Sequence, residues 1–161
     1  MSNRQKSLFS ALLFTLFMVG QVGASRPTFS LTDLVEDSDL IAQGTLVFND
    51  CTEHCVFQFV SNKVFKNKAS DDKKIMVCSF PRPDSNRLID MKYFKGEIII
   101  FTKKEGECYR PLGGHANVVK TITRSDGTID ASGIREEPLR QTLKEFQDKI
   151  EKEVRKGQTK K

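Results

Sequence analysis

The stretch Ser38-Asp39-Leu40-Ile41-Ala42-Gln43-Gly44-Thr45-Leu46-Val47-Phe48 constrains the fold of this chain more than any other. Its alternation places Leu40, Ala42, Gly44, Leu46 and Phe48 on one face of a strand, and Ile41, Gln43, Thr45 and Val47 on the other. A glycine in mid-strand weakens simple pairing and marks a bulge or sharp bend, as barrel strands require. Apolar runs at 56–65, 75–80 and 97–102 supply the partners. The first of these puts Phe57, Phe59 and Phe65 on one face and forms a hairpin with the opening strand across the polar turn 49–55. The second ends at Pro81-Arg82-Pro83, which cannot continue a ladder. The run 97–102 is apolar on both faces, so it is a central strand.

The remaining elements fit around these strands. Ser30 is placed to cap a short helix, with Asp33 in the capping-box position and Leu31, Leu34 and Val35 as its apolar face. That helix is expected to plug one end of the β-structure. Residues 103–107 form a turn, and 108–112 pair back as the next strand. Ser125-Asp126-Gly127, between the runs 118–123 and 128–130, predicts a further hairpin. A final helix begins near Glu137, takes Pro138 in its first turn, and stops at Gly157. Its stripe of Leu139, Leu143, Phe146, Ile150 and Val154 is suited to packing on the protein's own sheet. The fold class that follows is mainly β: a small OB-like Greek-key barrel of five to six strands, with a short N-terminal helix and a C-terminal amphipathic helix.

The first residues read as an export leader. Arg4 and Lys6 precede the apolar run 8–19, and Val22-Gly23-Ala24 supplies small residues for cleavage. The run falls short of the roughly 20 apolar residues that span a bilayer, and no cysteine follows it to carry a lipid. The expected organisation is a cleaved signal peptide at 1–24, a barrel domain at 25–136, a helix at 137–156 and a basic tail at 157–161. Loss of Arg4 and Lys6 lowers the net charge from +5 to +3. Much of that excess lies in the tail, whereas nucleic-acid binding calls for a denser patch on one face. The expected location is secreted or periplasmic, with no membrane span after cleavage and no nucleic-acid partner.

Cys51, Cys55, Cys78 and Cys108 all lie beyond the leader. An even count in an oxidising compartment reads as two disulfides, and four cysteines allow three pairings. Cys51–Cys55 and Cys78–Cys108 are favoured, because the first pair flanks a loop and the other two residues adjoin strands. Chain entropy assigns about 2 kcal/mol to the short loop and about 4 kcal/mol to the long one. With His54 the cysteines resemble a metal set, but a C-x3-C followed by two isolated cysteines lacks the paired knuckles of a zinc site. His115 near Cys108 is the remaining candidate for thiol chemistry, and oxidation of that thiol removes the nucleophile. The phosphate-loop, zinc-protease and serine-hydrolase signatures are absent. The expectation is a protein without enzyme activity, metal or cofactor.

Asp39-Leu40-Ile41-Ala42-Gln43-Gly44, Val64-Phe65-Lys66-Asn67 and Phe94-Lys95-Gly96-Glu97-Ile98-Ile99-Ile100-Phe101 resemble a group of small secreted bacterial proteins. Their domain is similar to the OB-like fold of netrin modules and tissue inhibitors of metalloproteinases, and the resemblance covers residues 31–130. Those inhibitors approach a catalytic zinc with an amino-terminal cysteine. Here cleavage after Ala24 leaves Ser25-Arg26-Pro27 at the start and no cysteine before Cys51, which argues against inhibition by that device.

OB barrels also bind oligomeric ligands on an aromatic and basic face. Lys103, Tyr109, Arg110 and His115 are the candidates here, set against the plainer reading that the aromatics are core and the lysines protect strand edges. The function these features imply is an exported, disulfide-stabilised binding module of the cell envelope or extracellular space, with another protein as partner or a glycan as ligand. The alternatives are an accessory subunit of an envelope enzyme, or an oligosaccharide-binding OB-type domain.

Overall fold

The structure is a computed structural model that describes residues 29–47, 56–68, 75–78, 95–113, 117–138 and 140–159. Five strands close a barrel: β1 (Leu40–Val47), β2 (Val56–Asn67), β3 (Ile75–Cys78), β4 (Glu97–Glu105) and β5 (Cys108–Pro111). The order around it is β1-β2-β3-β5-β4, and β4 returns to β1. All contacts between these neighbours are antiparallel except β3 with β5, which run parallel at Val77 and Tyr109. This is the OB-like barrel that the strand pattern predicts. The leader, Cys51, His54, Cys55, the Pro81-Arg82-Pro83 stop and His115 lie outside the described residues.

β1 and β4 form the wall between two apolar clusters. Leu40, Ala42, Leu46, Ile98 and Ile100 face the barrel interior with Phe57, Phe59, Ile75, Val77 and Tyr109. Ile41, Ile99 and Phe101 face outward and are also buried. Burial of each such side chain contributes about 1.5–3 kcal/mol, so both faces of these strands stabilise the fold.

Gly44 sits where the β2 backbone approaches β1 too closely for a side chain. A Cβ built there would lie 2.1 Å from the Val60 carbonyl oxygen and 2.8 Å from the Ser61 Cα. The register slips twice along this pair, between Ile41 and Ala42 and between Gln43 and Gly44. The slips leave Phe65 and Asn62 without opposite residues, as extra residues on a bulged strand. They also correct the expected face of Phe65: Phe57 and Phe59 enter the barrel, whereas Phe65 packs against the outer cluster.

Two helices build that outer layer. The first, α1 (Leu31–Asp37), has the expected capping box: the Ser30 hydroxyl accepts from the Asp33 N–H, and the Asp33 carboxylate accepts from the Ser30 N–H. Leu31, Leu34 and Val35 join the outer cluster, so α1 packs outside the barrel and its buried face does not enter the barrel interior. The C-terminal helix, α2 (Leu143–Thr159), buries Phe146, Ile150 and Val154 against Ile41, Ile99 and Phe101.

Three expected boundaries shift. The last helix begins at Leu143 and not near Glu137, because Gln141–Thr142 (β8) pair with Thr128–Ile129 (β7). Thr142 then caps the helix, its hydroxyl 3.2 Å from the Glu145 N–H while the Glu145 carboxylate takes the Thr142 N–H at 2.8 Å. The helix also runs through Gly157 to Thr159, and the Thr159 hydroxyl donates to the Lys156 carbonyl at 3.0 Å. Finally, the Ser125-Asp126-Gly127 turn forms, with Gly127 at φ 77° and the Arg124 N–H donating across it to the Thr128 carbonyl at 2.7 Å, but the pairing does not extend into a strand ladder. β6 (Val119–Lys120) pairs with β4 instead, and Ile129 of β7 is buried in the helical layer.

Candidate functional site

The C-terminal helix covers only part of the outer wall. It lies over Ile41, Ile99 and Phe101 and reaches Gln43, whose side-chain oxygen accepts from the Gln147 amide at 2.6 Å. Beyond Gln43 no described helix covers the outer face of β1, β2 and β3. The inward residues Leu46, Phe59 and Ile75 fix the alternation, so Thr45, Val47, Val56, Gln58, Val60 and Met76 point outward. Val47 stands beside Gln58, Gln58 beside Met76, and Thr45 beside Val60. Val47, Val56 and Val60 are 41%, 43% and 53% exposed. Single exposed apolar residues are ordinary, but Val47 lies diagonal to both Val56 and Val60 across the hairpin, and the three frame a surface that a partner can desolvate.

A polar seam separates this face from the helix. Lys63 pairs with Glu151 at 3.0 Å and lies 4.7 Å above the Phe65 ring. Glu97, opposite Thr45, accepts from the Thr121 hydroxyl at 2.8 Å and from the Asn62 amide. The Thr121 hydroxyl holds the Glu97 carboxyl below its ordinary range; burial opposes the shift, and Asn62 and Gln43 reinforce it. On the far side, Lys66 donates to the Val35 carbonyl and, at 3.3 Å, to the Glu36 carbonyl. A lysine from β2 thus satisfies the end of α1, whose own last turn has no basic residue. Burial lowers the Lys66 pKa, and neighbouring Lys68 adds to the effect.

Of the sequence-predicted ligand residues, Lys103 and Arg110 are brought together, Tyr109 is turned inward, and His115 lies outside the described residues. Lys103 and Arg110 are cross-strand neighbours of β4 and β5, and Arg110 pairs with Glu105. Tyr109 is 2% exposed inside the barrel, so its ring presents no stacking face to a ligand; Lys104 lies 5.7 Å above it. The cause is strand alternation: Tyr109 meets Val77 at the parallel closure and fills the interior there. Cys78 and Cys108 are joined by a disulfide with a Cα–Cα distance of 5.5 Å, as one of the favoured pairings requires. Among the described residues no group of three or more His, Cys, Asp or Glu side chains is placed to hold a metal ion.

The valine face was not anticipated. In Val56-Phe57-Gln58-Phe59-Val60 the phenylalanines are the larger apolar residues and take the interior. The signal was the pair of valines at the opposite phase, together with Val47. The architecture defines a class: a closed five-stranded barrel of OB-like topology whose outer wall is covered by helices in part, with the β1–β3 portion beyond Gln43 uncovered by any described helix. No protein-family model matches the chain, and no curated protein matches it in sequence.

Proposed function

We propose that this chain is an exported binding module that docks another protein of the envelope or extracellular space through the open face of β1, β2 and β3. The observation that carries this reading is the set of exposed valines, Val47, Val56 and Val60, on a sheet region that the helices leave uncovered. Rigid β-branched side chains on a bulge-pinned hairpin lose little entropy on docking. The outward residues here are valine, threonine, glutamine and methionine, which suit a protein surface better than a sugar ring or a base that seeks an aromatic plane. Export is supported by the leader pattern at 1–24 and by the Cys78–Cys108 bridge. The likeness to netrin-type modules points the same way.

The test is site-specific photo-crosslinking. A photoreactive residue at position 60 should capture one protein from an envelope extract, and the same residue at position 152, on the exposed side of α2, should not. Val60→Asp should abolish retention of that protein without changing the melting temperature. Equal capture at both positions, or retention unaffected by Val60→Asp, overturns the assignment of this face.

A further inference from the structure

We infer that the Cys78–Cys108 disulfide is a clasp on the seam of the barrel, and that its reduction opens β3 from β5 while the helical layer stays folded. Among the described residues β3 and β5 share one register pair, Val77 with Tyr109. By contrast β1 meets β2 along the whole of Leu40–Val47, and meets β4 from Leu40 to Thr45. The bridge therefore crosses the seam with the least backbone pairing. The two apolar clusters lie on opposite sides of the β1–β4 wall, and β3 and β5 belong to one side only. Ile75, Val77 and Tyr109 of β3 and β5 belong to the interior cluster, and neither strand contributes a described residue to the cluster beneath α1 and α2. Local opening favours a seam with little backbone pairing, and that is the feature this one shows.

The chemistry needs a dithiol reductant. Cys108 is half-buried and Cys78 is 7% exposed, so the Cys108 sulfur is the accessible one. A thiolate of the reductant attacks it, and Cys78 leaves as a thiolate. The reductant's second thiol resolves the mixed disulfide and releases Cys108. Two electrons pass to the protein, the reductant becomes a disulfide, and the two cysteine thiolates take up protons. Opening also moves β3 and with it Met76, its residue on the valine face, a consequence that rests on the docking reading.

Hydrogen exchange read by mass spectrometry tests the opening with no partner present, so its failure is separable from failure of the docking reading. The purified protein is compared before and after treatment with dithiothreitol, alongside the Cys78→Ser/Cys108→Ser variant, which isolates this bridge. Amides in peptides covering 75–78 and 108–111 should exchange at least tenfold faster in both the reduced protein and the variant. Those of Ile41, Gln43 and the α2 helix should keep their protection. Equal acceleration across α2 and β1, loss of the helical circular-dichroism signal, or unchanged exchange in β3 and β5 would each overturn the clasp.

Discussion

Gly44→Ala is the most direct probe of the barrel. The added methyl would stand 2.1 Å from the Val60 carbonyl oxygen and 2.9 Å from the carbon that bears it, where ordinary contact begins near 3.4 Å. These are backbone atoms, so no side chain can rotate away, and β2 must retreat by about an ångström. That retreat strains the pairing of Thr45 with Val60 and of Gly44 with Ser61. Overpacking of this kind costs about 1–3 kcal/mol, and one weakened ladder bond adds about 1 kcal/mol. The expected loss is thus about 3 kcal/mol, or roughly 10 °C in melting temperature for a domain of this size. Gly157→Ala is the control: it lies within α2, its Cβ meets nothing within 4 Å, and it should raise stability by about 0.5 kcal/mol. Melting followed by circular dichroism reads both variants. If Gly44→Ala melts at or above the parent temperature, the close approach of the two strands is wrong, and with it the bulged hairpin that shapes the barrel.

Phe146 is fully buried between α2 and the outer face of β1 and β4; Phe146→Ala should cost about 3–4 kcal/mol in urea unfolding, and a loss below about 1 kcal/mol would mean that the helix is not seated there. Glu97 has a folded pKa depressed chiefly by the Thr121 hydroxyl, so its stabilisation is present above the ordinary value of 4.5 and is lost as pH falls through the folded pKa. The urea midpoint of the parent should accordingly exceed that of Glu97→Gln at about pH 6, and the gap should shrink by about pH 3. A gap that widens in acid would show that the carboxylate is not held in its charged form.

Some of this architecture was plain in the residues. Ile98-Ile99-Ile100-Phe101 is apolar at every position, and only a strand buried on both sides needs that. Ser30 with Asp33 is a local device, complete within four residues, so it forms as written. The bulges were hidden, because they depend on how near Val60 comes to Gly44, and proximity across a hairpin is not written in either strand alone. The start of α2 was misplaced for a different reason. Residues after Glu137 have ordinary helix propensity, but pairing of Gln141 with Ile129 takes them into a strand first. The Thr142-to-Glu145 box that opens the helix was visible in the sequence as a threonine followed three residues later by glutamate.

The candidate site was harder to see because strand phase decides which aromatic or apolar residue goes inside. Tyr109 looked like a binding residue when placed beside Arg110, since an aromatic next to a cation is the pattern of a stacking face. The same alternation that turns Arg110 outward sends Tyr109 to the parallel closure, where a large side chain is needed to fill the barrel. The opposite sorting occurs on β2, where Phe57 and Phe59 take the interior and leave Val56 and Val60 to solvent. On β2 the phenylalanines fill the interior, and the valines left outside lie on a wall that no described helix covers. On β1 that covering is visible at Ile41, beneath α2, and it ends at Gln43. The wall from Thr45 onward carries the same kind of surface without a helix over it. Burial of the first half by α2 is therefore the precedent for the proposed docking: a rigid apolar surface from another polypeptide would bury the second half as the helix buries the first.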